Sequence, residues 1–140
     1  FVTHDCPISN AYSPELSRLR IDYEKKGFDM ILVYVDPDAN TETIKAHMKD
    51  YKLTGYTAIA DRTHRLVQAA GATITPEVAV IVPDGSISYR GRIDNMYPAL
   101  GQRRRVITEK DLRNALDDIY RNQPVTVSRT KAVGCYVPNL

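Results

Sequence analysis

The chain has 140 residues, 43% apolar and 26% charged, which fits one globular domain around a single core. A net charge of +2 is too small to argue for nucleic acid or an anionic membrane surface. No apolar run approaches the ~20 residues of a membrane helix. Phe1-Val2 reads as the end of a strand, followed by a turn that carries Cys6 and then by a helix start. Ser13-Pro14-Glu15 signals a hydroxyl-capped helix with Leu16, Leu19 and Tyr23 inward, closed by Gly27. Phe28 to Val35 is an apolar run suited to a strand buried on both faces. A loop at Asp36 to Asn40 leads into a helix whose inner face is Ile44, Met48 and Tyr51, with His47 turned to solvent or a partner. Thr57 to Ala60 is a short strand, and Asp61 caps a helix with Leu66, Val67 and Ala70 inward, ending near Gly71.

Thr75-Pro76 precedes the strand Glu77 to Val82, and Asp84-Gly85 turns it back into the strand Ser86 to Arg90. Residues 91–107 are irregular and contain Arg103-Arg104-Arg105, a basic run too short for a nucleic-acid surface. Thr108-x-x-Asp111 opens a last helix in capping-box style, with Leu112, Ala115, Leu116 and Ile119 inward. Residues 123–140 form an extended tail with Cys135 in it, so the chain divides into a domain over 1–122 and a tail over 123–140. This alternation predicts an α/β fold with a central mixed sheet and helices on both faces. Its first central strand is represented only by Phe1-Val2. The chain begins without Met and reads as a mature fragment or an excised domain.

Two cysteines are too few for a disulfide scaffold and do not form a local C-x-x-C. Cys6 and Cys135 are open to three readings: a redox pair, a structural bridge, or two separate thiols. A bridge closing nearly the whole chain contributes roughly 5 kcal/mol in the chain-entropy model. Cys6 at a helix start is placed for a reactive thiol, because backbone N–H groups there favour a thiolate. The blander alternative is a small buried residue. Thr3 has a hydroxyl to offer the thiolate or a substrate oxygen, and His4 a positive charge when protonated. Cys6, His4 and His64 together make a conceivable copper or zinc set. Three ordinary surface histidines are the simpler reading, with no metal and no cofactor. No dinucleotide fingerprint and no Ser-His-Asp arrangement is present.

Cys6-Pro7-Ile8-Ser9 at a helix start resembles the thioredoxin active-site turn, with Ser9 where a second cysteine would stand. Thr3-x-x-Cys6 is similar to the T-x-x-C of peroxiredoxins, and Thr75-Pro76 to the cis-proline that faces the active-site cysteine. The C-P-x-x-N segment Cys6 to Asn10, Pro83-Asp84-Gly85, Tyr89 to Asp94, Gly71 to Glu77 and Gly134-Cys135 together resemble the redoxin branch, alkyl hydroperoxide reductase and thiol-specific antioxidant proteins. The resemblance covers nearly the whole chain. It implies a thioredoxin-like fold and a thiol-dependent oxidoreductase acting by disulfide exchange or peroxide reduction. Cys6 would be the nucleophile, Cys135 a resolving thiol, and Pro7, Thr75 and Pro76 the substrate-contacting residues. Arg62, Arg90 and Arg92 are candidates for a transition-state arginine. Partners would be a thiol or disulfide protein or a small peroxide, in an exported, oxidising setting. Ser9 removes a local resolving thiol. The alternative class is therefore a redox-silent binding or assembly module within a larger complex, with or without a metal.

Overall fold

The computed structural model describes all residues, 1–140. In chain order the elements are α1 (Pro7–Ala11), α2 (Ser13–Glu24), β1 (Ile31–Tyr34), α3 (Thr41–Asp50), β2 (Thr57–Ala60), α4 (Arg65–Ala70), β3 (Ile74–Thr75), β4 (Val78–Ile81), β5 (Ile87–Gly91), α5 (Asp111–Tyr120) and β6 (Cys135–Tyr136). β1 and β2 pair in parallel from Ile31 opposite Thr57 to Tyr34 opposite Ala60. β4 and β5 pair antiparallel through the Asp84-Gly85 turn, as the two-residue signal predicts. In that turn the Asp84 carboxylate accepts from the Ser86 N–H at 2.8 Å, and Gly85 takes the positive φ of 88° that only glycine adopts freely.

Phe1 and Val2 join these two ladders. Val2 donates to the Val33 carbonyl at 2.9 Å and accepts from the Val35 N–H at 3.0 Å. On the other side, the Phe1 amino group donates to the Glu77 carbonyl at 2.8 Å. The Glu77 N–H donates to the Phe1 carbonyl at 3.3 Å. Alternate residues of β1 then face opposite layers. Leu32 and Tyr34 enter the main core with Leu16 and Leu19 of α2, Ile44 of α3 and Leu112, Ala115 and Leu116 of α5. Val33 and Val35 meet Val67 of α4 and Val137 of the tail. Helices therefore cover both faces, and no helix is long and apolar enough to cross a membrane.

Several local expectations give way to tertiary contacts. β1 is shorter than the apolar run Phe28 to Val35, and Ile31 is exposed. The short helix α1 precedes α2, so Ser13 lies inside α2 and leaves its buried hydroxyl without a partner. α3 turns Ile44 and His47 inward, while Tyr51 and Leu66 are exposed. Thr108 does not cap α5: Asn95 donates to its hydroxyl at 2.7 Å, and Asp111 pairs with Arg92.

Candidate functional site

The turn before α1 is shaped by short-range bonds. Cys6 caps α1, with the Ser9 N–H directed at its Sγ at 3.5 Å. Asn10 on α1 donates through Nδ2 to the His4 carbonyl at 3.0 Å. His4 donates its backbone N–H to the Asp36 carboxylate at 3.2 and 3.3 Å, and its Nδ1 lies 2.7 Å from Asp36 Oδ1. At the far end, Tyr12 donates to Asp94 Oδ1 at 2.8 Å and so ties the turn to the segment after β5.

The loop before β4 brings Thr75 and Pro76 to the same place. Glu77 is buried, and its Oε2 accepts from the N–H groups of Thr73 and Ile74 at 2.9 and 3.3 Å. The Thr75–Pro76 bond is cis, as the resemblance implies, and both residues are buried. Cys6 Sγ lies 3.4 Å from the Thr75 carbonyl.

Cys135 completes the cluster. β6 pairs antiparallel with β3, Cys135 opposite Thr75 and Tyr136 opposite Ile74. Cys6 and Cys135 form a disulfide, with Cα atoms 6.1 Å apart across a sequence separation of 129. Of the three readings left open by the sequence, two separate thiols is thereby excluded. Thr75 Oγ1 donates to the Cys135 carbonyl at 3.4 Å, which leaves Thr3 as donor in the 3.3 Å contact between the two hydroxyls. The Thr3 proton is thus directed at Thr75 and not at the sulfur. Cys6 is 1% exposed, whereas Cys135 is only half-buried and its neighbour Tyr136 is 81% exposed.

Thr3, Cys6, Thr75, Pro76 and Cys135 therefore converge, and Pro7 lies exposed at the start of α1. The arginines do not join them. Arg92 is held by Asp111 at 2.7 Å and by Glu109, and Arg90 bonds the carbonyls of Ala70 and Gly71. Arg62 donates to the Ala39 carbonyl at 2.6 Å. Two of the three histidines are not the surface groups expected, while His4 is partly exposed. His64 is buried with Nε2 3.0 Å from the Val35 carbonyl, and His47 is buried against Tyr34 and Asn10. The possible ligand atoms that come together are those of His4, Asp5 and Asp36, within 4.8 Å of one another, not Cys6 with His4 and His64. Sequence reasoning missed Asp36, Asn10, Tyr34 and His47 as neighbours of the turn. Asn10 was the one signal, as the last residue of the C-P-x-x-N segment.

A disulfide between a helix-start cysteine and a tail cysteine, beside a cis-proline loop on a helix-covered sheet, defines a thioredoxin-like protein. The family model for Redoxin matches residues 1–103, and the chain belongs to that family. The solved structures agree in fold. An uncharacterised conserved protein from Geobacillus kaustophilus is similar with 25% identity and a TM-score of 0.84, over 100% of this chain and 76% of that one. A hypothetical protein from Sinorhizobium meliloti 1021 is similar with 23% identity and a TM-score of 0.81, over 98% of this chain and 75% of that one. No curated protein matches the sequence.

Proposed function

We propose that the chain is a thiol-dependent oxidoreductase in which Cys6 and Cys135 alternate between dithiol and disulfide. The observation that carries this reading is the Cys6–Cys135 bond at the turn, with the partner cysteine supplied by an otherwise irregular tail. In the dithiol form, the Ser9 N–H that faces Cys6 Sγ stabilises a thiolate there. That thiolate attacks a disulfide sulfur, giving a mixed disulfide and releasing one substrate thiolate. With a peroxide it attacks an oxygen instead, giving a sulfenic acid and releasing an alcohol or water. The Cys135 thiol then attacks Cys6 Sγ. The intramolecular disulfide forms, and the second substrate thiol, or water, leaves. Two electrons pass from the dithiol to the substrate, and an external dithiol must return them.

Thr3, Thr75, Pro7 and Pro76 are the residues that substrate would meet around Cys6. Residues 123–140 act as the arm that delivers Cys135. An exported, oxidising compartment suits a chain whose two cysteines are bonded. A second reading, a redox-silent binding or assembly module with the disulfide as a staple, is favoured by the tail's other anchors. Val137 is buried against Val35 and Val67, and Thr130 bonds the Tyr89 hydroxyl at 2.7 Å.

The two readings separate on cysteine variants. Cys6→Ser is expected to abolish reduction of an aromatic disulfide or of hydrogen peroxide. Cys135→Ser is expected to make the first adduct and stall there, visible by mass spectrometry as a trapped mixed disulfide or sulfenic acid. A wild-type protein without turnover, whose Cys135→Ser variant only melts earlier, having lost up to about 5 kcal/mol of staple, would favour the redox-silent module. Full turnover by Cys135→Ser with an earlier melt would make the bridge a staple in an enzyme that needs Cys6 alone. Full turnover by Cys6→Ser would end the oxidoreductase reading.

A further inference from the structure

A ring of hydrogen bonds, closed through the chain between Tyr34 and Asp36, surrounds the Cys6 turn, and the proposed thiol chemistry does not use one of its buried members, His47. The ring's proton positions follow from one residue. Asn10 donates through Nδ2 to the His4 carbonyl at 3.0 Å, so its other atom, Oδ1, is an acceptor. His47 Nε2 lies 2.7 Å from that Oδ1 and must carry a hydrogen. In the neutral imidazole Nδ1 is then bare, and it accepts from the Tyr34 hydroxyl at 2.8 Å. The ring closes because His4 bonds Asp36, two residues beyond Tyr34, through both its N–H and its Nδ1. Tyr34 at the end of β1, His47 on α3 and Asn10 on α1 thus hold the His4–Asp5 peptide, one peptide before Cys6.

We propose that His47, as the neutral Nε2–H tautomer, is a positioning residue that ties Asn10 and the Cys6 turn to Tyr34 in their reactive arrangement, and that its protonation breaks this tie at Tyr34. This rests on the oxidoreductase reading of Cys6. Protonation at Nδ1 turns that atom into a donor. The Tyr34 hydroxyl must then rotate to accept, and its own proton is left without a partner. Tyr34 is 0% exposed, so no water replaces that bond. The groups facing the imidazole are Tyr34 and Asp36 at the end of β1, His4 from the turn, and Asp50 and Tyr51 at the end of α3. Burial and the nearby His4 push the His47 pKa below its usual value, against the opposing pull of Asp36 and Asp50. The neutral tautomer is therefore the resident form at neutral pH.

The test uses Cys135→Ser protein, which carries Cys6 as its single thiol, and follows iodoacetamide alkylation from about pH 8 down to about pH 4, well below the ordinary imidazole range. Reaction requires a Cys6 thiolate and a neutral His47 together. Below the titration of both, the logarithm of the rate is expected to fall with a slope approaching two. His47→Gln retains a donor for Asn10 and an acceptor for Tyr34 but cannot titrate. It is expected to keep the wild-type rate near pH 8 and to fall with a slope of one. His47→Leu, checked for folding by its melt, is expected to react at least tenfold more slowly near pH 8. A slope of one with His47 present, or a slope of two that survives His47→Gln, overturns the proposal. A Cys6 that is inert at every pH instead overturns the oxidoreductase reading. The histidine is then judged by NMR, where the ¹⁵N shifts must report the Nε2–H tautomer and the Asn10 side-chain amide must move with the His47 titration. Failure of either observation overturns the proposal independently.

Discussion

Asp94 shows how a single carboxyl group is set by its surroundings. It is buried, it accepts from the Tyr12 hydroxyl and the Met96 N–H, both at 2.8 Å, and it anchors the far end of the Cys6 turn. Burial pushes its pKa up, and those two hydrogen bonds only partly oppose the shift. A raised folded-state pKa means that the native protein holds the proton more firmly than the unfolded chain does. Its favourable contribution is complete below the unfolded value near 3.8 and is lost as pH rises through the folded value. Asp94→Asn keeps an acceptor oxygen for Tyr12 and Met96 while removing the charge. It is expected to melt at a higher temperature than wild type near neutral pH, and the gap should close at about pH 3. A gap of the same size at both pH values would mean that charge is not the cause.

At the scale of elements, what was legible in the sequence was whatever local chemistry decides alone. β2 spans Thr57–Ala60 as read, the Asp84-Gly85 hairpin forms, and Leu112, Ala115 and Leu116 line the inner face of α5. The misreadings arose where a distant group competed for a local one. Asn95 takes the Thr108 hydroxyl, whereas Asp61 caps α4 as read, its carboxylate accepting from the N–H groups of Leu66 and Val67 at 2.9 Å although His64 stands at the helix start. α3 is rotated from its apparent apolar stripe because Tyr34 and Asn10 offer His47 two hydrogen bonds. The site was half legible for the same reason. Residue types and order pointed to Thr3, Cys6, Thr75, Pro76 and Cys135, but the pairing of the cysteines depends on where the tail runs. That course is set by β6, which is only two residues long. It is kept close by Gly134, where any Cβ would run into the Thr75 carbonyl, a backbone group that cannot turn aside. Gly134→Ala is expected to lift β6 from β3 and to cost about 1–3 kcal/mol, as overpacking does. The sign to look for is a lower urea midpoint together with a Cys6–Cys135 bond that glutathione reduces more readily. An unchanged midpoint and an unchanged redox equilibrium would show that the tail accommodates the methyl group.

For the whole molecule, the chain folds as two ladders stitched together by Phe1 and Val2, with helices on either side and the tail returning across β5 and β3. The return is held at several points. Arg90 donates to the Ser128 carbonyl at 3.0 Å and accepts from the Thr130 N–H at 3.2 Å, and Val137 donates to the Thr73 carbonyl at 3.0 Å. With the disulfide 129 residues apart in sequence, the polypeptide becomes a covalent circuit that encloses all but a few residues at either end. A circuit opened at one place stays in one piece. Arg103, Arg104 and Arg105 are exposed, in a stretch outside every helix and strand, where brief trypsin treatment should cut first. The nicked protein is expected to migrate as a single species without reductant and to separate into its two fragments once thiol is added. Parting without reductant would mean that the circuit was never closed. The bond that the proposed chemistry makes and breaks would then also decide whether a clipped molecule survives as a unit, so damage would stay hidden until the next reduction.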